Sequence, residues 1–108
     1  MFTILTSKPG QFRTEPGEGM RAVESWDYLF YGRRRARFDI VEMPHDTRVR
    51  VIDETGEPVV NLVPAKFLEK FATVEAARGS LQALAKFGAM DIRLVQTAGR
   101  PAPASASE

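Results

Sequence analysis

Residues 26–43 read WDYLFYGRRRARFDIVEM, and the fold turns on how this stretch is read. Trp26, Tyr28 and Phe30 alternate with Asp27, Leu29 and Tyr31, while Ala36, Phe38 and Ile40 alternate with Arg35, Arg37 and Asp39. Side chains along a strand point to opposite faces in turn, so this pattern on both sides of a glycine describes a β-hairpin. Its turn is expected near Gly32-Arg33-Arg34. The stretch holds the only Trp, both Tyr and four of the eleven Arg.

Working outward, Pro44-His45-Asp46 reads as a second turn. Arg48 to Asp53 (RVRVID) is the cleanest alternation in the chain, with Val49 and Val51 inward and Arg48 and Arg50 outward. After a turn at Glu54-Thr55-Gly56-Glu57 comes a strand from Pro58 to Val63 (PVVNLV). Pro58 stands at its start, where a missing N–H is tolerated. On the other side, Met1 to Thr6 reads as a short strand with Phe2 and Ile4 on one face and Thr3 and Leu5 on the other. Ser7 to Gly19 (SKPGQFRTEPGEG) holds two prolines and three glycines and reads as an ordered surface loop.

The period then changes from two to about 3.6. Pro64 suits the first position of a short helix that sets Phe67, Leu68 and Phe71 on one face. Thr73 is an N-cap for a longer helix, with Glu75 in its first turn. Val74, Ala77, Leu81, Leu84 and Phe87 recur at helical spacing, and Gly88 ends the run. Gly79 lies off that stripe and has no evident role. Asp91 to Gln96 (DIRLVQ) supplies a last strand. Ala98 to Glu108 has no large apolar residue and reads as a disordered tail.

The fold expected is α+β: an antiparallel meander of five or six strands, closing towards a barrel, with one main helix packed on one face. Residues 1–97 form the single domain and 98–108 the tail. The Thr73–Phe87 helix is expected over Val49, Val51, Val60, Leu62, Ile92 and Leu94, and the first and last strands pair with each other or with the meander.

Composition narrows the function. The chain has 108 residues and a net charge of +1, from 15 Lys+Arg against 14 Asp+Glu. That balance gives no global attraction to nucleic acid or to an anionic membrane, so only local clusters can carry such a claim. Cysteine is absent, which rules out thiolate metal ligands, cysteine nucleophiles and disulfides within the chain. Its absence fits a cytoplasmic location. The N-terminus lacks the pattern of a signal peptide, and no segment approaches the ~20 apolar residues of a membrane span.

Four candidate sites stand out. Arg33, Arg34, Arg35 and Arg37, with Tyr31 and the aromatics Tyr28, Phe30 and Phe38, can bind phosphates and stack bases. They can equally meet an acidic patch on a protein partner, or merely solvate a turn above a core. His45, with Asp46 and Glu42, offers a weak acid–base or metal set, but it is the only histidine and no H-E-x-x-H spacing occurs. Lys8 and Arg13 in the Ser7–Gly19 loop can hold an anion, although Glu15 and Glu18 oppose it and no G-K-[ST] follows. Pro64 to Phe71 (PAKFLEKF) is either a cover for the sheet or an exposed knob for a partner. No serine sits in a G-x-S-x-G setting, and no catalytic set, metal site or cofactor motif is found. The expectation is therefore a non-catalytic accessory or regulatory module that docks on another protein, with no cofactor. The alternatives are single-stranded nucleic-acid binding by the arginine hairpin, and a small ligand-binding protein or enzyme with a site at a dimer interface.

Overall fold

Ile40 and Val41 are neighbours in the chain, and both are completely buried. A strand allows this only if both of its faces are covered. The computed structural model, which describes residues 1–45, 47–86 and 90–97, explains how. The chain forms β1 (Phe2–Ser7), β2 (Phe12–Glu15), β3 (Arg21–Phe30), β4 (Arg33–Glu42), β5 (Arg48–Asp53) and β6 (Val60–Pro64). A single 3-10 turn at Ala65–Phe67, the helix α1 (Val74–Leu84) and β7 (Ile92–Gln96) complete it. The seven strands make two antiparallel sheets, ordered β1-β4-β3-β7 and β2-β5-β6. The fold is thus α+β with its main helix in the C-terminal half, as expected. The sheets do not close into a barrel.

The hairpin is the centre of this arrangement. One face of β4, through Ala36, Phe38 and Ile40, packs on Ala77 and Leu81 of α1. The other face, through Val41, packs with Leu5 of β1 and Val49 of β5. Helix, four-stranded sheet and three-stranded sheet therefore lie in three layers, with β4 in the middle. β1 also serves both sides, since Phe2 and Ile4 join the helix-side cluster while Leu5 joins the inter-sheet one. β1 pairs with β4, and β7 pairs with β3.

Four expectations change. The segment 7–19 is not all loop, because Phe12–Glu15 forms β2 and pairs with β5. This pairing draws β5 and β6 into a second sheet, so the four central strands are two hairpins in different sheets instead of one meander. The helix consequently does not cover Val49 and Val51, which belong to the inter-sheet cluster, and Val60 and Leu62 are exposed. Of the strand residues expected beneath it, Leu94 packs in its cluster. Pro64 is extended (φ −61°, ψ 129°), and only Ala65–Phe67 coil after it. Phe67 is left 73% exposed, whereas Phe71 turns back to exchange two backbone hydrogen bonds with Phe2.

The long helix starts as the sequence suggests. The Thr73 side chain accepts a hydrogen bond from the Ala76 N–H at 3.0 Å, and Glu75 lies in the first turn. The helix ends sooner than expected, at Leu84 with Ala85 as its C-cap, and Phe87, Gly88 and the tail 98–108 lie outside the described residues. Gly79 is explained by no contact: a Cβ there meets nothing within 4 Å. Gly79→Ala is therefore expected to stabilise the protein by about 1 kcal/mol, the helical cost of glycine. Urea denaturation checks this, and a loss of stability would mean that the glycine is structurally required. Gly17 is the opposite case, since a Cβ would stand 1.7 Å from the Arg48 carbonyl oxygen. Only glycine lets this loop lie against the start of β5.

Candidate binding clefts and a free sheet edge

Two left-handed residues, Tyr31 (φ 51°) and Gly32 (φ 79°), close the central hairpin. This is the two-residue turn that matches strand twist, one residue earlier than expected. It puts Tyr31 at the tip, 58% exposed, with its ring edge-on to Phe30 at 4.7 Å between centroids.

The arginines do not share one face. The β3–β4 pairing steps from Tyr28↔Ala36 to Leu29↔Arg34, leaving Arg35 as an extra residue. Such a bulge reverses the facing of the side chains beyond it. Arg34 thus lies with Arg37 on the inter-sheet side, while Arg35 lies with Ala36 and Phe38 on the helix side.

On the inter-sheet side, Arg34 and Arg37 meet Arg13 of β2 around a cleft of about 180 Å³ that also contains Ser7, Phe12 and Glu54. Two candidates far apart in sequence are brought together here. Each cation already has a carboxylate. Arg13 pairs with Glu15 and Glu54, both at 3.0 Å, and Arg37 with Asp39 at 3.2 Å. Arg34 lies 3.8 Å from Asp27. An anion entering this cleft must compete with the carboxylates that already engage its arginines.

Asp39 is the buried anchor of that side, 1% exposed. Its Oδ1 accepts from the Ser25 hydroxyl at 2.6 Å and from Arg37 Nε at 3.2 Å, while Oδ2 has no hydrogen-bond partner. Burial pushes the carboxyl above its ordinary value, and the Ser25 hydroxyl and the Arg37 charge only partly offset this. The folded chain thus takes up the Asp39 proton at higher pH than the unfolded chain does. Stability from this group is full below the ordinary carboxylate range and is lost as pH rises through the raised value. Asp39→Asn is expected to remove that loss, so the variant gains on the native protein as pH rises above the ordinary carboxylate range. Denaturation across that rise checks it; a difference that does not vary with pH would contradict it.

On the helix side the charges are not balanced. Lys8 and Arg35 stand at a cleft of about 430 Å³ containing Gln11, Tyr28, Phe38 and Leu84. Neither cation makes an ion pair among the described residues. The same holds for Arg33, which is exposed.

The remaining candidates stay apart. His45 is exposed, Glu42 is bound by Arg21 at 2.7 Å, and Asp46 lies outside the described residues. No group of three His, Cys, Asp or Glu that could hold a metal ion occurs among the described residues. No helix among them is long and apolar enough to cross a membrane.

A further feature was not legible as a site in the sequence. β6 lies at the edge of its sheet, after β5. The Asp53 N–H bonds the Val59 carbonyl and the Ala65 N–H bonds the Thr47 carbonyl, each at a position paired across β5 and β6. Antiparallel pairs alternate, so Asn61 and Val63 also point their backbone groups at β5. The N–H and C=O of Val60 and Leu62 then point away from the sheet. Val59, Val60 and Leu62 are 52%, 54% and 56% exposed, and 59–63 (VVNLV) carries no charge. The edges at β1 and β2 are engaged, since Phe71 bridges to β1 and Thr14 of β2 bonds back to Ser7 and Thr6; β7, the remaining edge strand, carries the charge of Arg93, which β6 lacks.

Comparison with known protein families, with characterised proteins and with solved structures finds no match to this chain.

Proposed function

We propose that this chain is a protein-binding module that takes up an extended segment of its partner as a fourth strand beside β6. The observation that carries this reading is the open edge at Val60 and Leu62. Natural sheets guard their edges with lysine, proline, bulges or covering segments. Here two apolar side chains and four backbone hydrogen-bonding groups face outward, and the proline of the strand, Pro64, guards only its last position. An incoming strand satisfies those groups and buries the side chains, the mode known as strand addition. Val49, Val51 and Val63 face the first sheet, so the register sets Val60 and Leu62 on the outer face with Arg48 and Arg50. Arg50 is held by Glu15 at 2.7 Å, whereas Arg48 makes no ion pair among the described residues. The partner segment that suits this edge alternates apolar residues and carries an acid near Arg48.

The test is a selection of short extended peptides on the immobilised protein, followed by NMR titration. Recovered peptides of alternating apolar pattern that shift residues 59–64 support the reading. Peptides that shift only residues elsewhere would count against it. A second copy of the chain is the other possible occupant, and mass measurement in solution recognises it as a dimer. The nucleic-acid reading draws less support, because the bulge divides the arginines and Arg13, Arg34 and Arg37 are each opposed by a carboxylate.

A further inference from the structure

We infer that the helix-side cleft is a binding site for a small organic anion with an aromatic body. Its origin lies in two mismatches. An 11-residue helix extends about 16 Å, while a 10-residue strand extends about 33 Å, so α1 covers only part of the β4 face. The uncovered part of that face becomes the floor, with Ala36 and Phe38 buried and Tyr28 half-buried. The Tyr28 and Phe38 rings meet edge to face at 6.1 Å between centroids. Leu84, from the last turn of α1, lines the cleft and is 40% exposed. The second mismatch is the bulge at Arg35. Without the extra residue, strict alternation would send this side chain away from Ala36 and Phe38; with it, Arg35 joins them at the cleft.

Lys8 comes to the same cleft from the β1–β2 turn. That turn is fixed by backbone bonds from Lys8 N–H to Phe12 O and from Gln11 N–H to Lys8 O, both 2.9 Å. Lys8, Gln11 and Arg35 are all exposed and form the polar rim, above an aromatic and aliphatic floor. Two cations without a carboxylate partner among the described residues, beside an apolar surface, complement a ligand that is anionic at one end and flat and apolar at the other. Arginine suits a carboxylate or phosphate group by its planar fork, and lysine adds a point charge. The volume of about 430 Å³ lies within the range of small-molecule sites. The inter-sheet cleft, whose three arginines each lie beside a carboxylate, has no such complement.

This inference does not rest on the β6 edge, and the two can fail separately. The probe is 1-naphthoate, with the uncharged 1-naphthamide as control, titrated into the full chain and followed by amide NMR. Saturable shifts at residues 6–11, 35–38 and 84 are expected, with the amide binding about tenfold more weakly. The double variant Lys8→Gln/Arg35→Gln alters two exposed side chains and is expected to lose about tenfold in naphthoate affinity with its spectrum otherwise intact. Leu62→Pro is expected to bind naphthoate as the native protein does. Equal affinity for acid and amide, shifts confined to other residues, or an unchanged double variant would each overturn the proposal.

Discussion

Leu81→Ala is expected to lower the free energy of unfolding by about 2–5 kcal/mol. Leu81 is 1% exposed and sits between α1 and the Ala36–Phe38–Ile40 face of β4. Truncation there removes buried methyl groups and leaves a cavity that a strand held from both sides cannot close. The loss should be mostly local to the helix layer, because the inter-sheet cluster of Leu5, Val41 and Val49 does not include Leu81. Leu84, one turn later and 40% exposed, should cost less than about 1 kcal/mol when replaced by alanine. Helical periodicity alone makes these two leucines equivalent; the end of the helix over an incompletely covered sheet separates them. Chemical denaturation of both variants decides it, and equal losses would show that the helix packs further along the hairpin.

The hairpin, the RVRVID strand and the Thr73 cap were legible because each depends on local chemistry: period-two patterning, a turn at Gly32, and a hydroxyl three residues before a free N–H. The two-sheet layering was not. Buried residues on both faces of β4, Ile40 and Val41, mark a middle strand, but the same run fits a strand covered on one face with Val41 beyond its end. β2 was hidden because its four residues, Phe12–Glu15, give too little alternation to stand out from the turn chemistry around them. Strict alternation also misplaced Arg35, since a bulge depends on how two strands pair and leaves little trace in either one. The same limit applied to Val60 and Leu62: an apolar strand reads as core until its neighbours are known. Lys8, Arg13, Arg34, Arg35 and Arg37 were legible as cations, but their pairing was not. Which of them face an acid depends on contacts such as Arg13 to Glu54, 41 residues apart.

The second large effect expected is on binding. Leu62→Pro should reduce affinity for an extended peptide at β6 by more than about tenfold while leaving the fold intact. The Leu62 N–H points away from β5, so removing it breaks no bond within the sheet, and proline is tolerated at such edge positions. The same change at Asn61, whose N–H points at β5, should destabilise the sheet. The pair of variants therefore separates an edge that binds from an edge that merely happens to be exposed. Thermal denaturation and peptide titration of both variants check it.

Amide hydrogen exchange of the native chain, alone and with a selected peptide, tests the central claim most directly. In the free protein the Asn61 and Val63 amides should be protected, and those of Val60 and Leu62 should exchange as solvent-exposed amides do. Peptide binding should then protect Val60 and Leu62. Protection of Val60 and Leu62 already present in the free monomer, or none gained on binding, would contradict strand addition at this edge.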